Sequence, residues 1–195
     1  EFDVLLGSHV LAWDHLWERC YVEIDASVAT KLALNLHLFH VLQTVSHHSI
    51  DLDVGIPARG LHGEAYRGHI FWDEAFVFPF LNLRMPELSR ALLLYRWRRL
   101  PQAREAAKEA GFRGAMFPWQ SGSDGREEAQ TMHLNPRSGR WLPDNSRLQR
   151  HINIAIAYNT WQYYEATADA GFLSQYGAEL ILEIAKFWAS AATYD

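Results

Sequence analysis

A carboxylate that follows a tryptophan, with arginines and histidines upstream, closes the first of two glycine-rich stretches in this 195-residue chain. The stretch reads Ile56-Pro57-Ala58-Arg59-Gly60-Leu61-His62-Gly63-Glu64-Ala65-Tyr66-Arg67-Gly68-His69-Ile70-Phe71-Trp72-Asp73. No Gly-Lys-Ser/Thr follows its glycines, so it is not a phosphate-cradling loop of the Walker type. The residue types suit a sugar instead: a ring face to stack on a pyranose, a carboxylate to accept from paired hydroxyls, and Arg and His as donors. Asp73 stands where the loop enters an apolar helix, which places its side chain at the mouth of the helical assembly. An uncompensated carboxylate there would be costly to bury, and sugar hydroxyls would compensate it. A helix N-cap is the ordinary alternative and, on residue type alone, the commoner role for such an Asp.

The second stretch runs from Gly114 to Gln149 and carries Trp119, Asp124, Glu127 and Glu128. Neighbouring carboxylates point in different directions, so Glu127-Glu128 read as solvated loop acids rather than a catalytic pair, as do Glu64 and Asp124. His37 and His40 lie three apart on an apolar helix, and His47-His48 follow it. Without a third partner or a His-Glu-x-x-His pattern they read as core or cap residues, not zinc ligands. Ser8-His9 and Ser46-His47 lack a nucleophile elbow, which argues against triad chemistry.

Helices must position these loops. A short one is expected over about Ser8 to Glu18, followed by a long one that Asp25 or Ser27 caps and that ends near Ser46. The long helix is apolar on most sides, from Val28, Leu32 and Leu36 to Leu38 and Val41, so it is expected to be buried on most sides. Trp72 to Leu83 reads as a helix that Pro79 should end or kink. Pro86 opens Glu87 to Leu100, and Pro101 restarts an Ala-rich helix that Gly111 closes. Ile152 to Ala170, stopped by Gly171, and Leu173 to Ala191 complete the series. Gln130 to Leu134 and Arg140 to Leu142 can pair as a hairpin around Asn135-Pro136-Arg137-Ser138-Gly139. Long loops in a compact domain are functional or disordered, and the residues in these two favour function.

Hydrophobic residues make up 49% of the chain and charged residues 21%, which excludes disorder. Aromatic residues reach 13%, including eight Trp; most fill a helical core, and a few are free to line a sugar site. A net charge of −5 and a pI near 6.1 argue against a nucleic-acid or membrane-surface role. The basic cluster Arg96, Arg98 and Arg99, beside Tyr95 and Trp97, reads as a solvated helix face. Cys20 is alone, so no internal disulfide forms, which suits a reducing cytoplasm. No run approaches the roughly 18 apolar residues of a membrane span, and Glu1-Phe2-Asp3-Val4 does not open a signal peptide. With no initiator Met and a stop directly after a strong helix, both ends look cut from something longer.

Several segments together closely resemble glycoside hydrolase family 65. They are Ala58 to Asp73, Tyr95-Arg96-Trp97-Arg98-Arg99-Leu100, Gly111 to Gly122, His133-Leu134-Asn135-Pro136-Arg137-Ser138-Gly139 and His151-Ile152-Asn153-Ile154-Ala155. The similarity covers nearly the whole chain, in order. That family includes maltose, kojibiose and trehalose phosphorylases and some hydrolases. The resemblance implies an all-α fold, an (α/α)6 barrel (toroid) present here as about its first half, with a small β-hairpin in a long loop. Residues 1–24 would be a lead-in linker helix, and 25–195 the N-terminal half of the catalytic domain. It implies an α-glucoside cleaved with inversion, phosphate attacking opposite the leaving sugar to yield β-glucose 1-phosphate. Trp72 and Asp73 match the pair that holds the non-reducing glucose, and Trp119 matches the pocket wall. Arg59, His62 and Arg67 match further parts of the motif and join them as candidate substrate-binding residues. Neither a metal nor an organic cofactor is implied; inorganic phosphate is the co-substrate, and the partners are a disaccharide and phosphate, not nucleic acid or membrane.

The family's general acid is a Glu in a Gly-Pro-Asp-Glu segment after the helix that matches Leu173 to Ala191. It is expected beyond Asp195, with the phosphate-binding elements further on, so no catalytic residue is expected within this chain. The reading is a fragment of a cytoplasmic, homodimeric α-glucoside phosphorylase that is inactive alone. A trehalase-like hydrolase of the same family, or a non-catalytic sugar-binding or structural helical module, are the alternatives. Trp72, Asp73 and Trp119 are expected to share one cavity at one end of the helices.

Half a barrel leaves helix faces without partners, and more than a few hundred Å² of contiguous apolar surface favours association. The isolated chain is therefore expected to sediment as a dimer or larger assembly at micromolar concentration. A well-behaved monomer with little dye binding to exposed apolar surface would show that the fragment closes on itself.

Overall fold

In the computed structural model, which describes residues 1–61, 63 and 66–192, Ser27 opens α2 (Val28–Leu42) by accepting from the Thr30 amide at 3.2 Å. It follows α1 (Phe2–Cys20). A long connection then leads to α3 (Glu74–Arg84), which turns at Met85 into α4 (Pro86–Arg98), with Pro86 in the first turn, where its missing N–H costs nothing. The next helix, α5 (Leu100–Glu109), closes on Gly111, whose φ is +81°. The second long connection contains the two-stranded antiparallel hairpin β1 (Met132–Asn135) and β2 (Arg140–Pro143), with Leu134 opposite Trp141. Then come α6 (His151–Thr167), the single turn α7 (Ala170–Phe172), a wider five-residue turn Leu173–Gly177, and α8 (Ala178–Ala191).

Helix α6 lies in the middle, packed against α3, α4 and α8, and α5 joins α4 to α8. One core, with Phe78, Leu81, Leu88, Leu92 and Tyr163, fills the space between α3, α4 and α6. A second, with Leu100, Phe117, Ile152, Leu180 and Ile184, seals α5, α6 and α8. Burial of a Leu, Ile or Phe side chain contributes about 1.5–3 kcal/mol, so these contacts set the helix layer. The chain crosses α8 closely at Gly114: φ is +72°, and a Cβ there would lie 2.1 Å from the Glu183 carbonyl oxygen. The result is an all-α arrangement with one hairpin, as expected for part of an α/α toroid. Among the described residues no helix is long and apolar enough to cross a membrane.

Several expectations are corrected. The first helix begins six residues earlier than its pattern suggests, at Phe2, with much of its apolar content in solvent. Helix α2 is not buried on most sides: Val28 and Leu32 are 84% and 68% exposed, and only Leu38 and Leu42 are buried. An all-round apolar pattern needs neighbours on all sides, and this chain supplies them only near the C-terminal end of α2. Pro79 does not end α3; it lies on an exposed face, where water can satisfy the carbonyl its ring leaves unpaired. Helix α6 stops at Thr167 rather than at Gly171, because Ala168 turns left-handed at φ 54° and Asp169 begins the next turn.

That junction rests on one carboxylate. Asp169 accepts from the Phe172 amide at 2.8 Å, the Tyr163 hydroxyl at 3.0 Å and Arg90 Nε at 3.3 Å. The Phe172 amide, with help from Tyr163 and Arg90, holds the Asp169 carboxyl below its ordinary value. Burial, with the bond to Asp169, pushes the Tyr163 phenol up to about 12. Asp169→Ala should lower stability by about 1–2 kcal/mol near neutral pH, the usual cost of a lost cap. The folded-state value lies below the unfolded one of about 3.9, so this stabilisation is present above that pH and lost as the pH falls through the folded value. Thermal unfolding of both proteins should show the gap closing on acidification; a gap independent of pH would disprove the assignment.

Candidate functional site

The two long connections are sewn together at Ser121. Its amide donates to the Ile70 carbonyl and its carbonyl accepts from the Ile70 amide, both at 3.0 Å, and it bridges Glu127 on its other side. Trp72 and Trp119 are thereby set two residues from a common anchor. On the far side Asn153 of α6 takes the Phe117 amide at 2.8 Å and donates to the Ala115 carbonyl at 2.9 Å, seating the same loop on α6.

Beneath both connections lies the C-terminal end of α4. The Tyr95 hydroxyl meets Ser121 Oγ at 2.7 Å and donates to the Gly122 carbonyl. Arg96 donates through Nε to Glu74 Oε1 at 3.0 Å and through Nη2 to the Phe71 carbonyl at 3.3 Å. Arg99 stacks on the Tyr95 ring at 3.7 Å and donates to the Ser123 carbonyl and to Asp53 Oδ1, the latter at 2.7 Å. Gly125 passes so close that a Cβ would stand 2.7 Å from Arg99 Cγ. The solvated-face reading of this basic cluster is therefore wrong for two of its three members. Arg96 is 1% and Arg99 6% exposed, and only Arg98 faces water. Each buried guanidinium is offset by a carboxylate and by loop carbonyls, partners that lie 22 to 46 residues away along the chain.

Burial is the largest influence on Glu74 and pushes its carboxyl up, against the lowering effect of Arg96; the neighbouring Asp73 adds to the rise. Burial also works against the Asp53 carboxylate, but hydrogen bonds from Arg99 and Arg98 outweigh it and hold the group low.

The rings form an arc. Phe71 meets Trp119 at 5.6 Å, Trp119 meets His151 at 5.0 Å, and His151 meets Trp72 at 5.4 Å, edge to face at 79°. Trp72 and Trp119 are both half-buried and converge on the first residue of α6. Asp73 occupies the N-cap position of α3 but has helical backbone angles, and its side chain makes no capping hydrogen bond. It lines a cavity of about 270 Å³ with Glu74, His37, His40 and Thr44. Neither tryptophan lines that cavity, so the three expected residues do not share it. Trp72 and Asp73 are successive residues at a helix start, and a step of about 100° sends their side chains apart.

Arg59 and Arg67 are exposed, and neither lines the Asp73 cavity; Arg67 is left-handed at φ 53°. His62 lies outside the described residues, as does Glu64. Glu127 shapes the second loop, where its carboxylate accepts from the amides of Trp119 at 2.7 Å, Gln120 at 3.1 Å and Ala129 at 3.0 Å. Residue-type reasoning missed Glu74, Tyr95, Arg96, Arg99 and Glu127 as parts of the site. The available signal was the run Tyr95-Arg96-Trp97-Arg98-Arg99 at the end of a helix, long side chains able to reach a loop. Chemically, the arc can stack an apolar ring face, and the uncapped carboxylate can accept hydroxyl protons.

The model of the glycosyl hydrolase family 65 central catalytic domain matches residues 35–195. An uncharacterised glycosyl hydrolase of Mycobacterium tuberculosis is 56% identical over 98% of this chain and 14% of its own length. The trehalose 6-phosphate phosphorylase of Lactococcus lactis is 45% identical over 92% of the chain and 24% of its own. The kojibiose phosphorylase of Caldanaerobacter subterraneus is 39% identical over 99% and 25%. A solved structure from the human microbiome, assigned as a kojibiose phosphorylase, superposes on the whole chain with a TM-score of 0.81 at 28% identity, using 24% of that protein. The chain thus spans about a quarter or less of the length of these relatives.

If Glu127 is what shapes the Trp119 loop, Glu127→Ala should speed hydrogen exchange at the Trp119, Gln120 and Ala129 amides. Loss of charge-assisted bonds predicts roughly tenfold or more, with the helices unaffected. Unchanged protection at those three amides would show that the Ile70–Ser121 pairing and Asn153 suffice.

Proposed function

The chain belongs to glycosyl hydrolase family 65, and from that premise we propose that it supplies part of the glucose-binding subsite of an inverting α-glucoside phosphorylase. The overall reaction is a disaccharide plus phosphate giving β-glucose 1-phosphate and the released sugar. The observation that carries the reading is Asp73. It is a half-buried carboxylate at a helix start that caps nothing and opens on a cavity, directly after a tryptophan of the ring arc. A carboxylate so placed accepts from two vicinal hydroxyls, while Trp72 and Trp119, which do not line its cavity, offer ring faces to a part of the substrate that extends beyond it. These contacts strengthen as the glucose distorts toward its oxocarbenium-like transition state, which is where binding energy accelerates the reaction. The general acid and the phosphate ligands belong, in this reading, to the protein beyond Asp195. Phosphate needs no activating base of the kind a water nucleophile requires. A hydrolytic version is favoured by one observation, the glycosyl hydrolase name of the 56% identical mycobacterial relative.

In the full-length protein, Asp73→Ala should lower kcat/KM for an α-glucoside by roughly two orders of magnitude or more. Each lost charge-assisted bond costs about 1.5–3 kcal/mol. Near-normal turnover in that variant would reduce Asp73 to a helix-terminus residue. The isolated chain should release no sugar from maltose, trehalose or kojibiose. Product analysis with and without phosphate separates the two versions: β-glucose 1-phosphate marks a phosphorylase, and free glucose without phosphate marks a hydrolase.

A further inference from the structure

An ion pair between neighbouring helices is ordinarily a tie between them, but the Arg96–Glu74 pair has a second contact that a tie does not need. Its guanidinium also holds the Phe71 carbonyl, which lies outside α3 in the segment leading to it. The two groups it grips, at residues 71 and 74, stand on either side of Trp72 and Asp73. We infer that Arg96 is a positioning residue for this pair, aiming the Asp73 carboxylate by clamping its two flanks. The inference rests on the sugar-binding reading above.

The surroundings argue for aim rather than stability. Arg96 is 1% and Glu74 3% exposed, and Arg96 Nη1 has no partner among the described residues. Burial penalises Glu74 even with its partner present. A buried ion pair with an unsatisfied donor is no more stable than a well-packed apolar pair of the same volume, and is often less so. What a planar guanidinium adds is direction, since it fixes two acceptors in one plane, and a lysine, as a point charge, does not. The Tyr95 ring, 5.5 Å from the guanidinium, and the buried Phe71 complete its seat. Asp73 Cα is thus restrained from both sides, while its side chain is left open to the cavity.

The test uses the full-length protein with two changes, Arg96→Lys and the apolar replacement Glu74→Leu with Arg96→Met, each made alone and combined with Asp73→Ala. The apolar double variant should keep or raise Tm, yet lose about 10–100-fold in kcat/KM, the scale of a misplaced contact of about 1 Å. On an Asp73→Ala background the same changes should cost no more than about a further twofold, because the residue they act through is gone. Wild-type activity in the apolar variant, or losses that multiply with Asp73→Ala, would overturn the inference. Crystal structures give a reading independent of turnover. The Asp73 carboxylate should move relative to the rest of α3 in either Arg96 variant, and an unmoved carboxylate overturns the inference too. Should the wild-type protein cleave no α-glucoside, the functional proposal falls, while the position of Asp73 in these crystals still decides the role of Arg96.

Discussion

Three side chains at the C-terminal end of α4, two within it and Arg99 just beyond it, carry the site. Tyr95, Arg96 and Arg99 leave the helix on the side where two long, glycine-rich connections meet, and every one of them ends on a loop backbone. Loop backbones have polar groups that helices and sheets would otherwise satisfy, and burying them without partners costs about 1–3 kcal/mol each. The guanidinium groups meet that requirement at Phe71 and Ser123, and the tyrosine does so at Gly122. These bonds add to the Asn153 contacts with Phe117 and Ala115, and to the Ile70–Ser121 pairing that joins the two connections to each other.

From that seat the rest of the geometry follows. Ser121 joins the loops in register, Glu127 curls the second one by collecting three amides, and Asn153 fixes it to α6. The arc of Phe71, Trp119, His151 and Trp72 draws on three separate stretches of chain, so no one of them could form it alone. The carboxylate of Asp73 stands at the edge of this arc, but it faces the α2 side. The ring faces and the carboxylate therefore look in two directions at the head of one helix.

The helix layer has a finished side and an unfinished one. Helix α8 buries Leu180, Ile184 and Phe187. By contrast, Phe76 and Leu83 of α3, and Ile154, Tyr158 and Trp161 of α6, present apolar side chains to water, as does the N-terminal half of α2. The spacing of four and three residues along α6 makes a stripe, the pattern of a helix that packs on two sides. Among the described residues this stripe is exposed, while the opposite faces of α6 pack against α3, α4 and α8.

Most helix positions, apart from the start of α1 and the end of α6, the hairpin around Asn135 to Gly139 and the caps at Ser27 and Gly111 were legible in the sequence, because periodicity, turn residues and capping chemistry act over a few neighbouring residues. The expectation that Trp72, Asp73 and Trp119 suit a sugar came from residue type and family resemblance, while the structure places Asp73 in a cavity that neither tryptophan lines. The arginines of α4 were not legible: Tyr95-Arg96-Trp97-Arg98-Arg99 reads locally as a wet face, and the partners that allow Arg96 and Arg99 to be buried lie 22 to 46 residues away. The extent of α2 burial was misjudged for the opposite reason, since apolar content states what a helix can bury and not what is there to cover it. Whether Asp73 caps its helix or faces a cavity depended on the backbone angle at its own Cα, which residue type does not state. Short-range rules thus determined the parts, and only long-range polar partners decided which charges went inside.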